Sequence, residues 1–279
     1  MSKVYRGRLA PTPTGHLHLG HARTFWQAQC RAEQSGGTLV LRVEDLDRDR
    51  CKPHYTVNML EDLRWFGFRW QEGPDVGGEY GPYCQCDRSP FYLQAWHQLN
   101  NKRAIYPSPH SRKDVAQALS APHEGDREAI FPIELRPADW AEVDAPGVVN
   151  WRFRVPDGER ITFEDENYGS QSFVAGEDFG DFIVWRRDGL ASYELAVVTD
   201  DHAMQISEVV RGEDLLLSTA KQILLYRTLG WGAPKFYHCS LVRDEMGRRL
   251  AKRDGARSLR FLRSQGTTPE DIRAMWTLG

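Results

Sequence analysis

The segment from Tyr5 to Val43 constrains the fold more than any other part of the chain. Tyr5–Ala10 reads as a short strand that runs directly into the turn-rich Pro11-Thr12-Pro13-Thr14-Gly15. A helix is predicted from about Gly20, because Ala22, Phe25, Ala28 and Ala32 fall on one stripe at helical spacing. Gly36-Gly37 closes that unit, and Thr38–Val43 is apolar and β-branched enough for a buried strand. Strand, helix and strand in this succession form a βαβ unit. Two strands joined by such a crossover run parallel, so the expected fold class is α/β with a parallel sheet.

The rest of the chain divides by texture. Helical patterns recur at Thr56–Trp65 and Ser89–Asn101. From Tyr106 to about Arg187 prolines are frequent and long apolar periods are rare, with short strand candidates such as Trp151–Val155; this stretch reads as an insertion. The α/β pattern then resumes, with strands expected at Ser192–Thr199 and Ile206–Val210. Ser218 is the expected cap of a helix that runs to Leu229 and stops at Gly230. The expected organisation is a first half of the main domain over 1–105, an insertion over 106–190, a second half over 191–232, and a loop and tail over 233–279.

Composition removes several function classes. With 279 residues, 41% hydrophobic and 27% charged, the chain buries a core and is not disordered throughout. Apolar runs such as Leu195–Val198 are too short to span a bilayer, and Met1–Ala10 lacks the apolar stretch of a signal peptide. Five scattered cysteines suit a reducing compartment, so a cytoplasmic protein without a membrane partner is expected. A net charge of −3 argues against indiscriminate coating of nucleic acid. Between Arg243 and Arg263, however, basic residues outnumber acidic ones, and Gly247 and Gly255 bracket the densest part. That run suits a polyphosphate or an RNA backbone. The acidic stretch Glu124–Asp144 reads as a solvated face.

Chemistry concentrates in Pro11-Thr12-Pro13-Thr14-Gly15-His16-Leu17-His18-Leu19-Gly20-His21, where a strand end meets a helix start. Metal binding by His18 and His21 is the weaker reading, since no carboxylate or cysteine lies in that segment. Anion stabilisation is the stronger one. The helix N-terminus is positive, Gly20 allows a close approach to the backbone, and two imidazoles donate to phosphate oxygens. Glu44-Asp45-Leu46-Asp47 is open to a metal reading that no neighbouring histidine supports, and Asp200-Asp201-His202 reads as a strand-end hydrogen-bonding cluster.

His18-Leu19-Gly20-His21, preceded by Arg8-Leu9-Ala10-Pro11-Thr12-Pro13-Thr14-Gly15, resembles the HIGH motif of class I aminoacyl-tRNA synthetases of the glutamyl and glutaminyl group. The likeness continues in family order at Leu41-Arg42-Val43-Glu44-Asp45-Leu46-Asp47, Asp200-Asp201-His202 and Val210-Arg211-Gly212-Glu213-Asp214. It ends at Arg249-Leu250-Ala251-Lys252-Arg253, where the family carries its KMSKS-type loop. The resemblance implies a Rossmann-like class I catalytic core, its parallel sheet split by an α+β acceptor-end insertion, with a short helical C-terminal tail. It also implies activation of glutamate by ATP, with Mg²⁺ carried by the nucleotide. His18, His21 and Lys252 would be catalytic, and Thr12, His18, Gly20, His21, Arg249, Lys252 and Arg253 would bind ATP. Glutamate presents two carboxylates and one ammonium, so its pocket needs two cations and an anion. Arg8 and Arg211 would supply the cations and Glu44 the anion, with Ala10, Thr12 and Tyr193 lining the pocket.

Within that group the chain is most similar to the glutamyl-queuosine tRNA(Asp) synthetase family, because it ends at Gly279, soon after Arg253, where an anticodon-binding region is expected in charging enzymes. Members of that family activate L-glutamate without tRNA and attach it to queuosine in the anticodon loop of tRNA(Asp). A monomer is expected. The family's zinc site opens with C-x-C near the position of Tyr106-Pro107; here Ser108-Pro109-His110 follows, and no cysteine occurs onward to Arg136, so zinc is expected to be absent. Cys84-Gln85-Cys86 has the spacing but lies too early, and reads as free thiols. Arg249 and Ala251 stand where the family has lysine and serine, which predicts slower activation. Two other readings stay open: a truncated glutamyl-tRNA synthetase core that charges a tRNA 3′ end, and a non-catalytic paralog that binds RNA or a partner.

Overall fold

The computed structural model describes residues 4–110, 130–241 and 258–277. The chain forms two compact units. The first comprises 1–87, 206–213 and 236–279, and the second 88–205 and 214–235.

In the first unit the predicted βαβ element is present. Strand β1 (Arg6–Leu9) leads to helix α1 (Leu19–Gln34) and then to β2 (Thr38–Leu41). The two strands pair in parallel, Arg6 opposite Thr38 and Leu9 opposite Leu41. Ala22, Phe25, Ala28 and Ala32 form the buried stripe of α1. Gly37 is required at the return, because a Cβ there would sit 2.5 Å from the main-chain oxygen of Tyr5. Helix α2 (Pro53–Phe66) contains the predicted Thr56–Trp65, and a proline in its first turn sets its start. Strand β8 (Glu208–Gly212) runs beside β1: Ser207 N–H donates to the Arg6 carbonyl at 2.9 Å, and Arg8 reaches the Val210 carbonyl at 2.9 Å. Strand β9 (Lys235–Cys239) neighbours β8. Helices α6 (Leu259–Ser264) and α7 (Pro269–Thr277) complete the unit, and Leu259 and Ile272 join Leu9, Leu41, Leu63 and Val210 in its core.

In the second unit α3 (Ser89–Asn101) has the predicted limits. Strands β3 (Ile105–Ser108), β4 (Asn150–Phe153) and β7 (Phe182–Trp185) form an antiparallel sheet, and β5 (Arg160–Asp165) pairs with β6 (Gly169–Val174) as a hairpin.

Two expectations are overturned here. Ser192–Thr199 is not a strand: Tyr193–Ala203 is helix α4, with Ser192 Oγ accepting from Leu195 N–H at its N-terminus. The helix is buried from Glu194 through Asp201, so no polar face interrupts the run and no helical period is visible. Ser218 is not a cap. Helix α5 (Leu216–Leu229) starts before it, and the fully buried Ser218 hydroxyl donates to Glu194 at 2.8 Å. The stop at Gly230 is as expected, with the residue in the left-handed region at φ 76°.

Candidate active site

The carboxyl end of β1, the turn after it and the start of α1 carry the first group of predicted residues. Arg8 is 5% exposed, Ala10 is half-buried and Thr12 is exposed. The Thr12 carbonyl accepts from Thr14 N–H at 2.9 Å, and the Pro11 carbonyl from Glu44 N–H at 3.0 Å. That second bond ties the chain beyond β2 to the strand–helix turn. His18 is the N-cap residue of α1, with its carbonyl taking the first helical bond from Ala22 N–H at 3.1 Å. The His18 and His21 rings stack with centroids 3.7 Å apart and planes 26° from parallel. Gly20 makes this stack possible: a Cβ there would lie 3.2 Å from Cε1 and Nδ1 of His18. The glycine thus admits the imidazole of its own motif. Two imidazoles side by side at a helix N-terminus, with the positive end of a sixteen-residue helix behind them, are suited to anionic oxygens.

Glu44 lies just beyond β2, 9% exposed. Arg42, fully buried, donates Nη2 to Glu44 Oε1 at 2.9 Å. Arg42 belongs to the motif, and its partnership with Glu44 is legible in the chain itself. The signal was present, since residues i and i+2 of an extended chain share a face. The other acids of the segment have local partners. Asp45 accepts from Cys86 N–H at 2.9 Å, and Asp47 from Arg50 N–H at 3.3 Å. Burial chiefly, with Asp45 and Asp87 nearby, pushes the Cys84 thiol up to about 11 and the Cys86 thiol to about 12. Both are therefore neutral thiols near neutrality. Among the described residues no three histidine, cysteine or acidic side chains gather as a metal site.

On β8, Arg211 is 4% exposed, and its Nε donates to His238 Nε2 on β9 at 3.2 Å. His238 went unnoticed in the sequence, and a partnership 27 residues distant leaves no local signal. Tyr193 belongs to the second unit, as the half-buried first residue of α4. In that unit Asp200 is buried within α4 rather than at a strand end, and accepts from Arg88 Nε at 2.5 Å and Tyr92 Oη at 3.0 Å. It is structural, and His202 stacks on Trp231 at 4.1 Å.

Arg249, Ala251, Lys252 and Arg253 lie outside the described residues, but both flanks of 242–257 are held in the first unit. Leu241 N–H donates to Glu213 at 3.0 Å, and Ser258 bridges to His18 while Leu259 N–H donates to the Leu17 carbonyl at 2.8 Å. The described flanks, Leu241 and Ser258, thus lie beside Glu213 and beside His18. Part of the basic run holds the fold together instead of facing a ligand, since Arg260 pairs with Glu61 at 2.7 Å and Asp62 at 3.2 Å.

Residues 4–278 match the family of class I tRNA synthetases (E and Q), catalytic domain. The chain belongs to that family. A glutamyl-Q tRNA(Asp) synthetase of Symbiobacterium thermophilum is 46% identical over 95% of this chain and 83% of its own length. One from Nitratidesulfovibrio vulgaris is 42% identical over 96% and 84%. A glutamate–tRNA ligase of Halorhodospira halophila is 40% identical over 94% of this chain but 56% of its own. The solved glutamate tRNA ligase of Elizabethkingia meningosepticum superposes with a TM-score of 0.76 at 31% identity, covering 91% of this chain. This chain spans about half the length of that structure. As a class I synthetase catalytic core it is a ligase of a family that uses ATP. No helix among the described residues is long and apolar enough to cross a membrane.

Proposed function

We propose that this chain activates L-glutamate with ATP, without tRNA, and transfers the glutamyl group to queuosine in the anticodon loop of tRNA(Asp). The observation that carries the reading is the placement of Arg8, Glu44 and Arg211 near the carboxyl ends of β1, β2 and β8, with Glu44 tied to the turn that leads to His18 and His21. Two cations and an anion match the two carboxylates and the ammonium of glutamate. The names of the two relatives that match over more than four-fifths of their length support the acceptor.

In the first step an α-carboxylate oxygen of glutamate attacks the α-phosphorus of ATP, the bond to the bridging oxygen breaks, and pyrophosphate leaves. His18 and His21 donate to phosphate oxygens while Lys252, with Arg249 and Arg253, balances the charge of the departing pyrophosphate. Mg²⁺ enters as part of the nucleotide substrate. Ala10 and Thr12 position the amino acid. In the second step a hydroxyl of the queuosine cyclopentene diol attacks the glutamyl carbonyl and AMP leaves. Catalysis is positioning and charge stabilisation, with no covalent enzyme intermediate. The active form is a cytoplasmic monomer.

The test is ATP-dependent transfer of labelled glutamate to bulk tRNA from cells with and without queuosine. Label confined to the queuosine-containing pool is the expected result. Label in both pools would identify a 3′-end charging enzyme, and label in neither a non-catalytic paralog.

A further inference from the structure

We propose that His238 is a positioning residue that sets the orientation of the Arg211 guanidinium for a substrate carboxylate; this rests on the reading of Arg211 as a glutamate ligand. Arg211 is the penultimate residue of β8 and His238 the penultimate residue of the neighbouring β9. His238 is fully buried and Arg211 is 4% exposed. A guanidinium has donors only, so the 3.2 Å contact from Arg211 Nε makes His238 Nε2 an acceptor and puts the ring proton on Nδ1. The Phe236 ring centroid lies 5.5 Å from Arg211 Cζ and stacks within 19° of the His238 plane, which adds a flat wall to the same site.

The choice of imidazole has a chemical consequence. Anchoring Nε fixes the plane of the fork, and with it the direction of the terminal nitrogens that receive a carboxylate in bidentate fashion. A glutamate or aspartate at position 238 would orient the cation equally well, but it would form an ion pair with Arg211 and oppose the substrate's own charge. A neutral imidazole orients the cation without neutralising it. His238 therefore acts on glutamate affinity through Arg211 and touches no reacting atom.

The amide side chains separate this role from packing. In His238→Gln the amide oxygen reaches the place of Nε2, whereas in His238→Asn it reaches only that of Nδ1. Glutamate-dependent ATP–pyrophosphate exchange on the purified chain reads the difference. His238→Asn should raise the KM for glutamate about tenfold, the effect of losing one hydrogen bond to a charged group, with kcat and the KM for ATP little changed. His238→Gln should stay near the parent value. Equal KM values in both variants, or loss of the cooperative thermal transition in both, would overturn the proposal and leave His238 a packing residue. A parent protein with no glutamate-dependent exchange would instead overturn the functional reading, and this inference with it.

Discussion

In the second unit the buried Asp181 carboxylate is met on every side. Tyr106 Oη donates to it at 2.5 Å, Arg136 through Nε and Nη2 at 2.6 and 2.7 Å, and Val155 N–H at 2.9 Å. In the first unit Arg8 donates to a main-chain carbonyl and Arg211 to an imidazole. Both regions bury charge, but with different partners. A carboxylate held by a guanidinium and a hydroxyl forms a closed network, and its consequence is the pushing of the Tyr106 phenol far above its usual range, through burial first and then that bond. A neutral acceptor orients a cation while bringing no opposing charge of its own. The first arrangement staples a fold, and the second prepares a site.

The comparison breaks if charge removal has the same consequence in both places. The largest effect is expected for Asp181→Asn, which leaves Arg136 facing an amide in a buried network. Removing one member of a buried ion pair costs about 3 kcal/mol or more. Urea unfolding should show that loss, and a change below about 1 kcal/mol would refute the staple. Glu44→Gln should lower kcat/KM for glutamate by about tenfold to a hundredfold, the range for a hydrogen bond to a charged group. Its stability should fall as well, because the change also removes the carboxylate charge that the fully buried Arg42 meets; the added loss of glutamate turnover is what sets it apart from Asp181→Asn.

Gly20→Ala sharpens the contrast within the site. Alanine favours a helix over glycine by about 1 kcal/mol, so stability should hold or rise. The new Cβ would press on His18 at 3.2 Å, and the displaced imidazole should lower the rate of activation about tenfold. Loss of stability with full activity would contradict the packing of the histidine pair.

The smallest effect concerns acid. Glu72 accepts from Arg6 at 2.8 Å and from Tyr83 at 2.7 Å, and these bonds, Arg6 foremost, hold its carboxyl below the usual carboxylate range. A depressed folded-state value stabilises above the unfolded-state value near pH 4.3 and is lost as pH falls through the lower, folded-state value. Glu72→Gln should therefore be less stable than the parent at pH 7, with the gap closing below about pH 4. Urea midpoints at several pH values check it, and a gap that persists in acid would exclude the ion pair as its source.

Much of the fold was legible because its signals were local. The stripe on α1, the limits of α3 and the stop at Gly230 depend on spacing, caps and backbone freedom, all of which lie within a few residues. Helix α4 was misread for the opposite reason. Its surroundings bury it almost throughout, and a helix without a polar face shows no period. Ser218 looked like a cap because capping residues are polar, but a buried carboxylate at Glu194 claims its hydroxyl. Within the site the Arg42–Glu44 pair was readable from two-residue spacing, and the Arg211–His238 pair was not.

The sequence by itself determined the βαβ unit, the parallel pairing of its strands and the identity of the charged residues at their ends. The first two follow from steric and periodic rules that act along the chain, and the third from the order of the motifs that the chain shares with its family. Only the tertiary structure decided which distant partners the buried charges meet: a guanidinium and a phenol at Asp181, an imidazole at Arg211. That depends on which distant strands lie side by side, a relation that no local rule along the chain carries.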